Sequence, residues 1–461
     1  MWSQSDTLME ALTTPIDKVL QPRANTNKTY YLETYGCQMN VADSELVESI
    51  LQNIGYSPVN NINRAKAIFV NTCAIRDHAE EKVNSQLGRY DLIKKKNPEI
   101  IIGVLGCMAQ SLKHDLLENK PYVDIIIGPD SYRKLPEIMN RGSIKRNVVD
   151  TNLSRYEAYD DLFPKRKNGI NAWVSIMRGC DKFCTFCIVP FTRGRERSRD
   201  LEGILLEAQN AVDDGFSEVT LLGQNVNSYK SKNNKFHNLL EEISKINGLK
   251  RIRYTSPHPK DMSDEVIKVM SKYDNICNSV HLPLQAGSNK ILKRMNRTYT
   301  KEEFISLAQK IQNRIPNVGI STDIIVGFPG ETNSDFEQTL EVMDVIKFDF
   351  AFNFKFSERR GTKAIEYDDQ INEEDKKNRL IRVINLQKKH TLHKNEKLIG
   401  SYQKVLIEKE SKLSSFDWAG RTDSNKWVIF KKGNSKIGEL VNVKINEAVG
   451  VSLKGQLYYN D

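Results

Sequence analysis

Short apolar runs alternate with amphipathic stretches from Thr29 onward, which predicts strands and helices in turn. Helices are expected to begin near Asp43, Arg76 and Met108, each shortly after an apolar run. Apolar strands that alternate with helices indicate a parallel sheet covered by helices on both faces. The four strand patterns are TYYLETYG (29–36), AKAIFVNT (65–72), EIIIGVLG (99–106) and VDIIIG (123–128).

A second alternating series follows, with a helical pattern between each pair of strand patterns. Its six units predict a partial or open (β/α)6 barrel, with the active site at the carboxyl ends of the strands. The strand patterns are AWVSIMRG (172–179), EVTLLGQN (218–225), LKRIRYTS (249–256), SVHLPLQ (279–285), GISTDIIVGF (319–328) and FDFAFNFKFS (348–357).

The pattern changes once more near Ser401, where short strands are separated by Gly and Asn turns. This texture predicts a small β-barrel of the type that binds oligonucleotides. The fold class is therefore α/β, with a parallel-sheet domain, a partial barrel and a small C-terminal β-barrel. The predicted divisions are an N-terminal extension (1–28), an α/β domain (29–150), a polar linker (151–170), the partial barrel (171–398) and the β-barrel (399–461).

Composition limits the classes of function that the chain can serve. A length of 461 residues suggests about three domains, and a net charge of +9 permits a polyanionic partner. No apolar run approaches the roughly 18 residues that a membrane helix needs, and residues 1–28 lack a signal-peptide pattern. Seven cysteines in such a chain favour metal or redox chemistry over disulfides, so we expect a cytoplasmic protein.

Three thiols follow the first strand of the second series in the segment CDKFCTFC, at Cys180, Cys184 and Cys187. Such thiols suit either zinc or an iron–sulfur cluster. Zinc would need a fourth ligand from afar, and the histidines at 237, 258 and 281 show no ligand spacing. A 4Fe–4S cluster held by three thiolates leaves one iron open to a substrate or cofactor, so the spacing favours the cluster.

Three further thiols, Cys37, Cys73 and Cys107, each come directly after one of the first three strand patterns. They are 36 and 34 residues apart, which is the length of one βα unit. Because parallel strands end on the same side of a sheet, the spacing favours metal or cluster binding over ordinary burial. Cys277 has no partner in phase and is expected to be a buried free thiol.

CDKFCTFC resembles the CxxxCxxC signature of radical S-adenosylmethionine (SAM) enzymes, in which SAM fills the open iron position. Longer segments resemble methylthiotransferases, and YGCQMN with CIVPFTRG is similar to the group that acts on isopentenyl-adenosine in tRNA. One departure is Phe191, which stands where that group is expected to have Tyr. The matching segments are TYGCQMNVADSE (34–45), NTCAIRDHAEEKV (71–83), GCMAQ (106–110), CTFCIVPFTRGRERSR (184–199), HLPLQAGSNKILKRMNRTYT (281–300) and VGFPGET (326–332).

The resemblance implies methylthiolation of carbon 2 of N(6)-dimethylallyladenosine next to the anticodon in tRNA. It also implies two 4Fe–4S clusters, the second held by Cys37, Cys73 and Cys107 as the sulfur source, and the use of two SAM molecules. The C-terminal barrel would be an RNA-contacting TRAM domain. The expected partners are a tRNA anticodon stem-loop and an electron donor such as flavodoxin or ferredoxin, without a membrane, and we expect a monomer.

Polar groups at the ends of strands in the second series are candidates for holding SAM, although strand termination and local capping explain them equally well. These candidates are Gln224, Ser256, Gln285 and Gly327. Four arginines just after the cluster loop are candidates for contact with RNA phosphate or substrate, although charge runs are usually solvated faces. They are Arg193, Arg195, Arg197 and Arg199.

Two alternative functions remain at this stage. The first is the sibling activity that methylthiolates an aspartate of a ribosomal protein, with a protein partner in place of RNA. The second is a zinc-bearing RNA-binding module without enzymatic activity. Residues 401–461 hold ten Lys and Arg against seven acidic residues, which supports RNA binding only weakly.

Overall fold

The structure, a computed structural model, describes residues 28–73, 77–140, 147–166 and 169–459. The predicted N-terminal extension therefore lies outside the described residues, apart from Lys28. The chain forms two compact units. The first runs to Ser154 and includes Leu162–Lys165, and the second comprises Arg155–Asp161 and the chain from Arg166 onward. The predicted linker is thus divided between the two units.

The first unit contains a six-stranded sheet in which every pair of neighbours is parallel, in the order β2-β1-β3-β4-β5-β6. Its strands are β1 (Thr29–Thr34), β2 (Ser57–Pro58), β3 (Ala67–Thr72), β4 (Ile101–Gly106), β5 (Ile125–Ile127) and β6 (Val148–Asp150). Its helices are α1 (Gln38–Asn53), α2 (Asp77–Lys96), α3 (Cys107–Asn119) and α4 (Leu135–Asn140). Strands β3 and β4 are buried along their whole length, which explains their continuous apolar sequence.

The predicted parallel sheet is confirmed, with two differences at its margins. The short edge strands β2 and β6 were not predicted, because a two- or three-residue strand shows no periodicity. Helix α1 begins at Gln38 and not at Asp43, because Cys37 takes the extended N-cap position. Asp43 and Ser44, which suggested a helix start, are instead buried within α1.

The second unit opens with a curved parallel sheet of six strands, as predicted. Two three-stranded sheets, β7-β10-β13 and β14-β15-β16, are joined where Ile276 bridges Ile252 in parallel and the Cys277 N–H donates to the Ile252 carbonyl. The six strands are β7 (Asn171–Ser175), β10 (Glu218–Leu222), β13 (Arg251–Tyr254), β14 (Ser279–His281), β15 (Gly319–Val326) and β16 (Phe350–Lys355). Two short antiparallel pairs are separate from them, β8 (Met177–Arg178) with β9 (Arg197–Ser198) and β11 (Lys230–Ser231) with β12 (Asn234–Lys235). Cys277 is a buried free thiol.

Helices cover the outer face of this sheet, and the side chains of both form one large apolar core. The helices are α5 (Val189–Arg193), α6 (Leu201–Asp213), α7 (Phe236–Ser244), α8 (Asp264–Lys272), α9 (Asn289–Arg294), α10 (Lys301–Arg314), α11 (Asn333–Ile346) and α12 (Glu373–Glu396). In the described part of the chain, no helix combines the length and the apolar character that crossing a membrane requires.

The last strands close into a five-stranded barrel in the order β17-β18-β19-β21-β20, as predicted. They are β17 (Tyr402–Glu410), β18 (Asp417–Thr422), β19 (Trp427–Lys431), β20 (Leu440–Val449) and β21 (Ser452–Tyr458). Alternate residues of β17 and β19 fill the interior together with Val443 of β20, namely Val405, Ile407, Val428 and Phe430. The pairs are antiparallel except for β19 with β21.

The barrel is fastened to the partial barrel by buried charges. Arg251, which is 1% exposed, donates to the Lys404 carbonyl at 2.9 Å and pairs with Asp423 at 2.6 Å. Arg253 donates to the Thr422 carbonyl at 2.9 Å, and Arg421 of the β-barrel pairs with the fully buried Glu218 at 3.1 Å. Removing one side of such a network leaves buried charges without partners, which is strongly destabilising. The β-barrel is therefore part of the second compact unit and not an appended module.

Candidate functional site

The CDKFCTFC segment forms a loop between β8 and α5 at one end of the partial barrel. Gly179 enters the loop with a φ of +77°, and a Cβ there would clash with the Arg195 carbonyl, so only glycine fits. The Gly179 N–H donates to Oε1 of Gln224 at 2.6 Å. Inside the loop, the Cys187 N–H donates to the Cys184 carbonyl at 2.9 Å. Backbone contacts thus fix the path that carries the three thiols.

The three thiols are close enough to influence one another electrostatically. Burial raises the pKa of the Cys180 thiol to about 11, and the neighbouring Cys184 adds to the effect. Burial likewise raises the pKa of Cys187 to about 12. Thiols in such surroundings stay protonated until a metal binds. Binding then releases the protons, since metal ligation requires the thiolate.

The donor set fits an iron–sulfur cluster, because three cysteine sulfurs on one short loop are the usual ligands of such clusters. Cys184 and Cys187 line a cavity of about 420 Å³, together with the rings of Phe183, Phe191 and Tyr367. In the part of the chain that the structure describes, no group of three His, Cys, Asp or Glu side chains converges on one point to hold a single metal ion, whereas the cysteines of a 4Fe–4S cluster each bind a different iron. Phe191 contributes its ring to the cavity, so its departure from the expected Tyr removes only a hydroxyl.

A turn that follows α9 supports the cluster loop, a role that was not predicted from the sequence. Thr185 donates from its N–H to the Met295 carbonyl at 3.1 Å. Asn296 donates to the Phe183 carbonyl at 3.0 Å and to the Lys182 carbonyl at 3.2 Å. Arg297 donates from Nη1 to Sγ of Cys184 at 3.3 Å. The signal was present in the segment RMNR, since Asn readily takes the left-handed conformation that Asn296 adopts.

The four residues predicted to hold SAM all lie after strands of the partial barrel, and their contact with SAM stays a prediction. Gln224 supports the cluster loop through Gly179. Ser256 and Gln285 have positive φ values of 56° and 68°, a strain that clusters at functional sites. Oε1 of Gln285 is buried without a hydrogen-bond partner, which leaves an acceptor free for a ligand. The Gly327 N–H is occupied, since it donates to Glu331 at 2.6 Å.

Three of the four predicted RNA-contacting arginines are buried within the second unit. Arg193, Arg197 and Arg199 are 3%, 7% and 3% exposed. Arg199 donates to Glu207 at 2.6 Å, and Arg197 donates to the Glu157 carbonyl at 3.0 Å. These side chains hydrogen-bond within the protein, and their contact with RNA stays a prediction.

Arg195 is the exposed member of the run. Its guanidinium pairs with Asp181 at 2.7 Å and lies over the ring of Phe183 at 5.1 Å, beside the cluster loop. Of the four predicted phosphate contacts, Arg195 is the one whose side chain is accessible in this structure. A salt bridge at the surface is weak enough for a phosphate to compete with it.

The other three predicted thiols lie in the first unit, at the carboxyl ends of β1, β3 and β4, which are adjacent in the sheet. Cys37 is the N-cap of α1, Cys73 follows β3, and Cys107 is the first residue of α3. A Cβ placed on Gly36 would lie 2.5 Å from Cβ of Cys73, so the segments before Cys37 and at Cys73 are in close contact. The topology thus gathers the three positions at one edge of the sheet.

Two buried asparagines lie next to these thiols, and their role was not predicted from the sequence either. Asn40 and Asn71 are fully buried and hydrogen-bond to each other at 3.1 Å. Cys37 donates from Sγ to Oδ1 of Asn40 at 3.2 Å, and Asn71 also donates to the Asn40 carbonyl at 2.9 Å. Buried amides with satisfied hydrogen bonds rigidify their surroundings. This pair holds the N-terminus of α1 against the end of β3.

The β-barrel presents aromatic and basic side chains at its surface. Tyr402 and Tyr458 are 53% and 46% exposed, and their ring centroids are 4.6 Å apart. Lys444 lies opposite Tyr402 on the neighbouring strand. Exposed aromatic rings beside a cation form a surface on which nucleic-acid bases stack.

Three family models match the chain. The radical SAM superfamily matches residues 174–343, the uncharacterized protein family UPF0004 matches residues 29–128, and the TRAM domain matches residues 396–458. The matches correspond to the partial barrel, the parallel-sheet unit and the closed β-barrel. They agree with the predicted order of domains.

Curated relatives match along almost the whole chain. A tRNA-2-methylthio-N(6)-dimethylallyladenosine synthase of Christiangramia forsetii is 44% identical over 459 residues, covering 95% of this chain and 95% of the relative. Proteins of the same name from Bacteroides fragilis and Porphyromonas gingivalis are 45% and 46% identical, covering 94% and 93% of this chain and 96% and 94% of the relatives.

Among solved structures, the fold is similar to the radical SAM methyltransferase TsrM from Kitasatospora setae, with cobalamin and a [4Fe-4S] cluster bound. The TM-score is 0.58 at 12% identity, with coverage of 82% of this chain and 81% of that chain. Identity at this level indicates a shared fold, and the substrate of that protein carries no implication for this chain.

Proposed function

This chain belongs to the radical SAM methylthiotransferase family, and on that premise we propose that it methylthiolates carbon 2 of N(6)-dimethylallyladenosine next to the anticodon of tRNA. The observation that carries the proposal is the match of 44% identity over 459 residues to a synthase named for this product. The closed C-terminal barrel and its exposed aromatic pair support a nucleic-acid substrate.

The proposal assigns a separate role to each set of thiols. Carbon 2 of adenine carries an unactivated C–H bond, and a 4Fe–4S cluster with SAM supplies the radical chemistry that such a bond requires. The loop thiols Cys180, Cys184 and Cys187 would hold this cluster, and Gly179 and Gln224 keep the loop in position. The thiols at 37, 73 and 107 would hold a second cluster that provides the sulfur, with two SAM consumed for each product.

Other residues act by binding the substrate. The barrel pair Tyr402 and Tyr458 would stack on bases of the anticodon stem-loop, and Arg195 would contact a phosphate near the cluster loop. The target base leaves its stack to reach the reacting groups, as enzymes that act on base atoms commonly require. A flavodoxin or ferredoxin as electron donor and a monomeric state complete the proposal.

The test is anaerobic incubation of the reconstituted full-length protein with SAM, a low-potential reductant and an isopentenylated anticodon stem-loop. Nucleoside mass spectrometry is expected to show 2-methylthio-N(6)-dimethylallyladenosine, whereas a stem-loop with unmodified adenosine should give little product. A parallel reaction offers the ribosomal-protein aspartate as substrate. Methylthiolation of that aspartate, with none on the stem-loop, would show that the tRNA assignment is wrong.

The barrel surface gives a quantitative prediction for RNA binding. Replacing Tyr402 and Tyr458 together by Ala should raise the Kd for the stem-loop about tenfold, because stacking contributes about 1–3 kcal/mol per base. Fluorescence anisotropy at fixed salt measures the change, and both clusters should remain intact.

A matched control and the choice of variant follow from the structure. Tyr156, which is 90% exposed outside the barrel, provides the control, and Tyr156→Ala should leave the Kd unchanged. An unchanged Kd in the double variant would contradict the role of this surface. Point substitutions are preferable to deletion of residues 401–461, because deletion would also remove contacts of the partial barrel itself, namely Asp423 for Arg251, the Thr422 carbonyl for Arg253 and Arg421 for Glu218.

A further inference from the structure

Arg297 lies against the cluster loop with its guanidinium directed at a cysteine sulfur. Nη1 donates to Sγ of Cys184 at 3.3 Å. Among the described residues no carboxylate forms a salt bridge with Arg297, so the Cys184 sulfur is the hydrogen-bonded neighbour that can carry a negative charge once it binds a metal. Because arginine stays protonated in proteins, its positive charge is permanently placed at this ligand.

The rest of the guanidinium is held by a rigid frame. Nε donates to the hydroxyl of Tyr299 at 3.0 Å, and Nη2 donates to the Pro283 carbonyl at 3.3 Å. Tyr299 is buried and donates in turn toward the carbonyls of Pro283 and Leu284 at 2.8 and 2.9 Å. These contacts fix the orientation of Arg297, so its N–H bond to the sulfur is preorganised.

The other charges near the loop are paired or exposed, whereas Arg297 donates directly to the sulfur. Lys182 pairs with Asp261 at 2.7 Å, and Arg294 pairs with Asp369 at 2.6 Å. Burial lowers the pKa of His258 to about 2, so its imidazole is neutral. Lys293 and Lys363 also line the cavity with Cys184 and Cys187, but both are exposed to solvent, so Arg297 is the half-buried cation in direct contact with a cysteine sulfur.

We infer that Arg297 is a positioning residue that raises the reduction potential of the cluster held by Cys180, Cys184 and Cys187. Hydrogen bonds to the sulfurs and nearby charges are among the factors that set such potentials. Reduction adds one negative charge to the cluster and its thiolates, and a fixed cation beside one sulfur stabilises that reduced state. The inference rests on the proposed function only in requiring a cluster at this loop.

The test measures the potential directly and does not depend on product formation. The full-length chain with Cys37, Cys73 and Cys107 replaced by Ala is reconstituted anaerobically, so that only the loop cluster reports. Arg297→Gln keeps an N–H donor without the charge, Arg297→Met removes both, and Arg297→Lys keeps the charge. Mediated dithionite titration, followed by electron paramagnetic resonance of the reduced cluster, gives the midpoint potential of each variant.

The Gln and Met variants should show about a tenfold lower ratio of reduced to oxidised cluster at a fixed potential, which is a shift of about 59 mV to more negative values. The Lys variant should stay within about threefold of the parent ratio, because the charge remains. Asn296→Gly serves as a matched control, since it removes two hydrogen bonds to the loop but preserves the left-handed backbone and the charge.

Four results would overturn the inference. The first is an unchanged potential in Gln and Met variants that retain their iron. The second is an equal shift in Asn296→Gly, which would attribute the effect to loop geometry. The third is loss of iron from all three Arg297 variants, which would assign the residue a purely structural role. The fourth is weakened SAM binding at an unchanged potential, which would make Arg297 a SAM contact. A parent protein that binds no iron would contradict the proposed function instead.

Discussion

Replacing Cys180, Cys184 and Cys187 by Ala is expected to abolish reductive cleavage of SAM, with 5′-deoxyadenosine falling to the level without enzyme. The physical reason is that a cluster of this kind is held by thiolates, and the loop offers no other soft donor. The iron content should fall to about half, because a second cluster of equal size would remain in the first unit. Anaerobic iron and sulfide analysis with chromatography of 5′-deoxyadenosine measures both effects.

Cys277 provides the control for this experiment. It is a buried free cysteine outside both sets of thiols, so Cys277→Ala should leave the iron content and the rate of SAM cleavage unchanged. Formation of 5′-deoxyadenosine at the wild-type rate by the triple variant would show that the radical chemistry does not depend on this loop.

Replacing Cys37, Cys73 and Cys107 by Ala should separate sulfur insertion from radical generation. These positions belong to a different compact unit from the loop, so the loop cluster should still form and SAM should still be cleaved. The iron content should again be about half of the wild-type value, while methylthio-adenosine should be undetectable because no sulfur is held ready for transfer. Methylthio-adenosine, by nucleoside mass spectrometry, and 5′-deoxyadenosine are measured in the same reaction.

The two triple variants are most informative when they are compared. Each is expected to give a different combination of iron content, 5′-deoxyadenosine and methylthio-adenosine. Asn40→Ala is a milder change than either triple variant. It removes the hydrogen-bond acceptor of the Cys37 thiol but leaves all six cysteine sulfurs in place. Methylthiolated RNA from the variant without Cys37, Cys73 and Cys107 would show that these thiols only pack the sheet edge. The sulfur source would then lie elsewhere.

The strands and the thiol positions could be predicted because local sequence determines them. Strand β4 is buried on both faces, so its continuous apolar run is visible without any partner. Parallel strands end at one edge, so the positions of Cys37, Cys73 and Cys107 followed from the alternation of strands and helices. The predicted family rested on long matching segments such as HLPLQAGSNKILKRMNRTYT, which are much more specific than the spacing of the cysteines alone.

The roles of charged residues could not be predicted, because they depend on partners far away in the chain. From the sequence, Arg199 looks like a solvated or RNA-facing residue. In the structure it is buried and donates hydrogen bonds to Glu207 and to the Ser175 carbonyl. Arg251 occurs in an alternating strand pattern, yet its partner Asp423 lies in the β-barrel. Short edge strands and the Asn40–Asn71 pair escaped notice for the same reason, since neither has a local periodic signature.

The buried attachment of the β-barrel to the partial barrel sets how far the protein can reach along an RNA. A binding module on a flexible linker samples many positions and loses that freedom when it binds. Here Arg251 and Arg253 hold the β-barrel in one position on the partial barrel. The distance between the RNA segment bound by the β-barrel and the segment that reaches the partial barrel is therefore fixed. Such an arrangement selects its substrate by a distance along the RNA. It would favour stem-loops in which the reacting base is the correct number of nucleotides from the gripped segment, and it would exclude the same base displaced along the strand.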